Sequence, residues 1–515
     1  MFGKVLIANR GEIAVRVVRA CHELGVQTVT VYSDADTESL HVRYADEAYP
    51  LGPSPPAESY LNIEKIVSAA LQAGADAIHP GYGFLAENHE FAEACEKRGI
   101  AFIGPPSSTL RLTGDKIESR RIMRSVGVPT LPGGDRLLDS VDEASSAAEE
   151  TGWPVLLKSA YGGGGRGIRI VRSRKELQDA FDAAERESLS AFGKRGVYVE
   201  KYLENPRHIE FQIISDRDGN TIHLGERECS IQRRFQKLIE ISPSPLVDPD
   251  TRHRVGALAV KAAKAVSYVN AGTVEFVVDE RKNFYFIEVN ARLQVEHPVT
   301  ELVTGVDLVK AQIRIACGED PDAVQAEVQP RGWAIECRIN AEDPYNNFLP
   351  SSGVVSYYHQ PGGPGVRVDT ALYSGYDVPT YYDSLVAKLV TYGRTFEEAR
   401  GRMRNALAEY LIEGIATTIP LHKVIIDDPY FARGVLSTSF LETRVPDLAK
   451  VKAEATSTSE LQEVAAAAAA VYLVTRKGKD VPPAPVGGSR EVVGWRRRND
   501  YTGRSPPTPR YSEDL

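Results

Sequence analysis

The spacing of apolar residues changes period along the chain, and each change predicts an element. Lys4-Val-Leu-Ile-Ala8 is a short unbroken apolar run, the pattern of a strand buried on both faces. After the turn Asn9-Arg-Gly11, residues Ile13, Val17, Ala20, Cys21 and Leu24 share one face of a helix, which Gly25 closes. A second strand from Gln27 to Tyr32 completes a β-α-β unit, and the alternation continues to Phe102-Ile-Gly104. Residues 1–112 therefore predict an open parallel α/β domain. Its first turn reads Asn-Arg-Gly-Glu and lacks the GxGxxG spacing, which makes it a structural turn rather than a dinucleotide cradle.

From 113 to 330 the pattern changes to helices mixed with hairpin signals. Within that stretch, residues of about 130–203 carry the glycine run Gly162-Gly-Gly-Gly165 and predict a mobile insert. Residues 331–446 are rich in strands and turns, among them Pro361-Gly-Gly-Pro-Gly365, and end in helices. Beyond Pro446 the composition shifts. Lys450 to Val474 is charged and Ala-rich, and Pro482 to Leu515 is rich in Pro, Gly, Ser and Arg. Residues 447–515 thus predict a tail that is flexible or ordered only against a partner. The whole is a multidomain chain, part α/β and part α+β.

Composition narrows the function classes. A chain of 515 residues exceeds one core and implies about three domains. Its net charge of −9 offers no general attraction to nucleic acid or an anionic membrane. Five cysteines without a CxxC pair argue for a reducing compartment and against a disulfide framework or zinc site. The N-terminus runs straight into a strand, and the longest apolar run, Val464 to Val474, is mostly alanine and too short to span a bilayer. The expected location is the cytoplasm.

The chemistry concentrates in Glu288-Val-Asn290-Ala-Arg292-Leu-Gln294-Val-Glu296-His297. It follows two apolar stretches, Thr273 to Val278 and Phe284 to Ile287, which predict antiparallel strands split by the polar turn Asp279 to Asn283. Glu275 and Glu288 can then lie on facing strands. Asn290, Arg292 and Glu296 follow at even spacings and project to the same side while the chain stays extended. Such carboxylates repel one another unless a cation joins them. Hard oxygen ligands suit Mg²⁺ or Mn²⁺ carrying the phosphates of a nucleotide.

Other segments agree. Lys158 ends an apolar strand, and the loop Tyr161-Gly-Gly-Gly-Gly-Arg-Gly167 precedes another, so glycine N–H groups and one lysine can approach phosphate oxygens. GxxxxGK[ST] is absent, which makes this a strand-loop-strand lid rather than a Walker loop. Lys116, opening a helix, is a second candidate phosphate lysine. Val197 to Leu203 ends a strand where Glu200 could accept from a purine amine. His208-Ile-Glu210 and the stretch Glu226 to Lys237 place basic groups beside acidic ones, as phosphoryl transfer to an anionic co-substrate requires.

Together Ala8-Asn-Arg-Gly-Glu-Ile, His79-Pro-Gly-Tyr-Gly-Phe-Leu, Gly114-Asp-Lys116, the glycine loop, Ser230-Ile-Gln-Arg-Arg-Phe-Gln-Lys237, Glu288 to His297 and Glu336-Cys-Arg338-Ile-Asn-Ala-Glu-Asp closely resemble the biotin carboxylase subunit of biotin-dependent carboxylases. The likeness runs from residue 1 to about 446. It implies an N-terminal parallel α/β domain (1–112), an ATP-grasp domain (113–330) with its lid, and a β-rich C-terminal domain (331–446). The resemblance puts Mg²⁺ or Mn²⁺, two ions, on Glu275, Glu288 and Asn290. It puts ATP against Lys116, Lys158, Gly164, Gly165, Glu200, Leu203, His208, Gln232, Glu275 and Glu288. Bicarbonate falls to Lys237, Arg292, Gln294 and the backbone of Val295, and the catalytic set is Arg292, Glu296, Lys237 and Arg338. Glu296 would be the base, and Arg338 would meet the biotin ureido oxygen. Phe235 departs from relatives that carry histidine near the ribose.

By this resemblance the chain carboxylates biotin through carboxyphosphate, as the first half-reaction of an acetyl-CoA or propionyl-CoA carboxylase, with a two-subunit pyruvate carboxylase as the alternative. A carbamoyl-phosphate synthetase would duplicate the unit, and no second glycine loop or Glu-Val-Asn-Ala-Arg run occurs. Neither internal methionine, Met123 or Met403, precedes a lysine, so the Met-Lys signature of a biotinylated hairpin is missing. The expected partners are a biotin carboxyl carrier protein, carboxyltransferase subunits and a second copy of the chain, with no nucleic acid and no membrane.

Overall fold

The structure is a computed structural model that describes residues 1–134, 136–159, 168–192, 196–319 and 328–445. The glycine run, with Gly164 and Gly165, and the tail beyond residue 445 lie outside the described residues.

Five strands open the chain: β1 (Lys4–Ile7), β2 (Gln27–Ser33), β3 (Glu47–Gly52), β4 (Ala77–His79) and β5 (Ala101–Phe102). They form a wholly parallel sheet in the order β3-β2-β1-β4-β5, as the β-α-β pattern predicts. Both faces of β1 are covered: Val5 and Ile7 pack with Ile13 and Val17 of helix α1 (Gly11–Glu23), and Leu6 packs with Val29 and Ile78. The Asn9-Arg-Gly-Glu turn is structural. Asn9 Nδ2 donates to the carbonyls of Pro80 and Tyr82 at 2.8 Å, and Arg10 forms a bidentate pair with Asp36.

Helix α2 (Lys116–Ser125) leads to a second unit. Helix α3 (Val141–Thr151), strands β6 (Val155–Ser159) and β7 (Ile168–Val171), helix α4 (Arg174–Phe192) and strand β8 (Val197–Lys201) follow. The strands form a small antiparallel sheet, β7-β6-β8. Val155, Leu157, Val171 and Val197 bury their side chains against Ala148, Leu177 and Phe181.

The main sheet has eight antiparallel strands. Along the chain these are β9 (Arg207–Ser215), β10 (Thr221–Arg233), β11 (Gln236–Ser242), β12 (Asn270–Val278), β13 (Phe284–Asn290), β14 (Trp333–Asn340), β15 (Val366–Thr370) and β16 (Leu385–Gly393). Their order is β13-β12-β9-β10-β11-β14-β16-β15. The strand-rich region after residue 330 therefore does not start a separate sheet, because β14 pairs directly with β11.

Alternation sorts this sheet into two faces. Ile209, Phe211, Ile213, Val274, Phe276 and Phe286 pack on one side with helix α5 (Pro249–Ala265), while Ile239, Ile241, Ile335, Cys337 and Leu389 pack with helix α8 (Phe396–Glu409) and helix α9 (Ile419–Asp427). The intervening residues His208, Glu210, Glu275, Glu240, Glu336, Arg338 and Lys388 stand on the opposite side. Helix α6 (His297–Thr304) packs over β14 there, and helix α7 (Leu308–Ala316) over β12. Among the described residues no helix is long and apolar enough to cross a membrane.

Candidate active site

Glu275 and Glu288 are direct cross-strand partners in the β12–β13 hairpin, as the pattern of apolar residues predicts. Glu275 accepts from His208 Nε2 at 2.9 Å, Lys237 Nζ at 2.8 Å and Asn290 Nδ2 at 2.7 Å. Glu288 faces Lys116 Nζ at 3.3 Å. Burial opposes the charge on both carboxyls, but Lys237 and His208 hold Glu275 well below the ordinary range, and Lys116 and Lys158 hold Glu288 down. Two ionised carboxylates at facing positions, with an amide two residues on, fit a hard divalent cation.

The extended chain stops at Asn290, so Arg292 and Glu296 do not continue the strand as even spacing suggested. They reach the site because the backbone folds into a turn before α6. Arg292 donates to Glu87 at 2.9 Å and to Gln294 Oε1 at 3.2 Å. Glu296 immediately precedes α6 and is fully buried.

The cation that relieves the carboxylate repulsion among the described side chains is Lys237. Its ammonium touches Glu210, Glu275 at 2.8 Å and Glu296 at 2.7 Å. Arg338 bridges Glu240 at 2.6 Å and Glu296 at 2.7 Å. Burial and nearby Glu210 act to raise the Glu296 carboxyl, yet Lys237, Arg338 and Arg227 outweigh them and keep it below its ordinary value. Glu296 is thus an ionised carboxylate held between two cations. Beside it, Gln294 Nε2 is buried without a hydrogen-bond partner, an orphan donor suited to an anion. The Val295 carbonyl accepts from Lys388 Nζ at 3.1 Å.

On the nucleotide side, Lys158 pairs with Glu200. Glu200 is also clamped by Arg120, which donates to the carbonyls of Leu131 and Gly133 as well. The Glu200 carboxylate, which the sequence suggested as a purine acceptor, is thus held in place by two cations, one on each oxygen. Gln232 Nε2 contacts the Cys229 carbonyl at 3.1 Å and His208 Nδ1 at 3.4 Å. Leu203 follows β8, half-buried. Phe235 is exposed on the two-residue β10–β11 turn, with a positive φ of 67°.

Sequence reasoning missed several members of this network. Arg120 stands beside Arg121 in a charged helical stretch, and nothing local separates the buried residue from its exposed neighbour. Glu87 follows the His79 to Leu85 motif but lies about 200 residues from its partner Arg292. Arg227 is fully buried and donates to Glu210, Gln212, Thr273 and Thr300. Only the run of charge between Glu226 and Lys237 hinted at it.

Residues 1–110 match the family described as biotin carboxylase, N-terminal domain, and residues 336–443 match the biotin carboxylase C-terminal domain. Residues 115–323 match the carbamoyl-phosphate synthase L chain, ATP binding domain. Biotin carboxylase 1 of Bacillus subtilis is 54% identical over 444 residues, which are 86% of this chain and 99% of that protein. A pyruvate carboxylase subunit from Methanothermobacter thermautotrophicus is 53% identical over 442 residues, 86% of this chain and 90% of that protein. A solved structure of the Hydrogenobacter thermophilus 2-oxoglutarate carboxylase biotin carboxylase domain, a dimer with MgADP, ADP and bicarbonate, superposes with a TM-score of 0.85 at 54% identity. It spans 87% of this chain and 98% of that one.

Proposed function

Because the chain belongs to the biotin carboxylase family, with an ATP-grasp fold, we propose that it carboxylates biotin borne on a separate carrier protein. The reaction consumes ATP and bicarbonate and passes through carboxyphosphate to ADP, phosphate and carboxybiotin. The observation that carries this reading is Glu296, buried and ionised between Lys237 and Arg338.

Bicarbonate binds against Lys237, Arg292, the orphan amide of Gln294 and the Val295 N–H. Glu296 takes its proton, and the oxygen so freed attacks the γ-phosphorus of ATP with ADP leaving. Lys116, Lys158, Glu200, Leu203, His208 and Gln232 position the nucleotide. Glu275, Glu288 and Asn290 would hold Mg²⁺ or Mn²⁺, which would supply charge neutralisation at the transferred phosphoryl group. Carboxyphosphate then yields CO₂ and phosphate. The phosphate removes the ureido N–H proton, and the nitrogen attacks CO₂. Arg338 stabilises the negative charge on the ureido oxygen.

The geometry couples the two halves. Once protonated, Glu296 no longer attracts Arg338 as an anion, so the guanidinium can turn to the ureido oxygen. The insert of residues 130–203 serves as a lid that keeps water from carboxyphosphate.

The acceptor is assigned to the acyl-CoA class, acetyl-CoA or propionyl-CoA. A carrier protein, a carboxyltransferase and a second copy of the chain are the partners. Five free cysteines fit the reducing cytoplasm.

The test is phosphate release with bicarbonate withheld and restored, with and without free biotin. Bicarbonate dependence and stimulation by biotin are expected. Rates indifferent to both overturn the assignment.

A further inference from the structure

Strands β11 and β14 pair with Glu240 opposite Glu336, so both carboxyl groups stand on one face. Arg338, two residues beyond Glu336, shares that face, and its Nε donates to Glu240 Oε1 at 2.6 Å. Both glutamates have no exposed surface. Glu240 Oε2 and both carboxyl oxygens of Glu336 lack a hydrogen-bond partner.

An ionised carboxylate buried with orphaned oxygens is costly, and two of them side by side in a buried layer repel strongly. The other charged groups facing the pair are Lys237 on β11, Lys388 on β16 and Glu296 before α6, with the buried Cys229 thiol on β10. Lys237 and Arg338 are already committed to Glu296, and Lys388 lies against Glu12 and Asp369. A single proton answers both problems: an O–H on Glu336 can donate to the orphaned Oε2 of Glu240.

We propose that Glu240 is a positioning residue for Arg338 and shares one proton with Glu336, leaving the pair one charge aimed at the guanidinium. Burial drives both carboxyls upward, opposed by Arg338 at Glu240 and by Lys388 at Glu336. Anchored through Nε, Arg338 keeps its terminal nitrogens for Glu296 and, if biotin is the substrate, for the ureido oxygen.

The full-length chain tests this in two independent ways. Infrared difference spectra between wild type and Glu336→Gln at neutral pH should show a protonated-carboxyl carbonyl band in the wild type alone. This arm does not depend on biotin being the substrate. A spectrum without that band overturns the shared proton.

The second arm uses free biotin. Glu240→Leu, which cannot accept from Arg338 Nε, should raise KM for biotin about tenfold, the loss of one hydrogen bond to a charged group, with a smaller change in KM for ATP. Glu336→Leu, which cannot donate to Glu240, should shift KM for biotin in the same direction. Glu336→Gln, whose amide still donates, should lie closer to wild type. Equal KM values for biotin in Glu240→Leu and wild type, or equal effects of Leu and Gln at 336, overturn the positioning role. A wild type that fails to use biotin defeats the functional assignment instead, and leaves the infrared result standing.

Discussion

The Lys237 ammonium lies 2.7 Å from Glu296, and the same nitrogen lies 2.8 Å from Glu275. One cation thus links the proposed base to a proposed metal ligand, across β11, β12 and the start of α6. Lys237→Met should leave the carboxylates uncompensated and remove a positive contact to bicarbonate. Bicarbonate-dependent phosphate release should fall about 10²- to 10³-fold, the scale for removing one preorganised charge-stabilising donor. Steady-state phosphate assays check it, and a loss below about threefold contradicts the role.

Arg338 and Glu296 touch, yet they should fail differently. Arg338→Ala should abolish biotin carboxylation and retain much of the bicarbonate-dependent ATP hydrolysis, because its proposed task lies in the second half-reaction. Glu296→Ala should remove both, since carboxyphosphate cannot form without the base. Parallel assays of phosphate and carboxybiotin separate the two. Equal loss of ATP hydrolysis in both variants would falsify this division.

Arg120 and Glu200 are both nearly inaccessible, with side-chain exposure of 2% each. Arg120→Ala leaves part of a buried charge uncompensated, which costs about 3–5 kcal/mol where no relief is available. Lys158 still contacts Glu200, so the lower end is expected. KM for ATP should rise too, because Glu200 then claims Lys158 more fully. Arg121, exposed and paired with Glu118, is the control. Its replacement by alanine should leave the urea midpoint close to that of the wild type. Urea unfolding of the two variants decides it.

What the sequence made legible follows from the range of the interaction. The parallel N-terminal sheet and the Glu275–Glu288 pair rest on local periodicity, and both are present. Arg292 and Glu296 stand out by their even spacing after Glu288 and by the family resemblance, but their route to the site differs, because a turn replaces the strand after Asn290. The Glu200 clamp was hidden because burial of Arg120, rather than Arg121, is decided by packing against residues 131–133 and β8. Glu240 opposite Glu336 depends on a register between strands almost a hundred residues apart. No spacing within either segment encodes that contact.

Burial holds the imidazoles of His41 and His422 neutral, pushed down to about 4, and that of His79 to about 3. An unfolded histidine titrates near 6.5, so below that pH the unfolded chain binds protons that the folded chain refuses. Each such histidine contributes stability that is complete above about pH 6.5 and is lost as pH falls toward 4, by about 1.4 kcal/mol per pH unit. Glu12 and Glu240, raised to about 7, act with the opposite sign between about 4.5 and 7. The slope of the whole chain therefore mixes the two effects, and a difference between variants isolates one. His422 Nε2 bonds the Arg338 carbonyl at 2.6 Å, and glutamine can retain a donor there without titrating. Whatever His422→Gln costs near pH 7 in lost packing, the stability gap to wild type should shrink by about 1.4 kcal/mol for each unit of acidification, then reverse. Urea midpoints for both proteins at several pH values between about 7 and 5 measure it. A gap that stays constant across that range means that His422 takes up its proton as readily in the folded as in the unfolded chain.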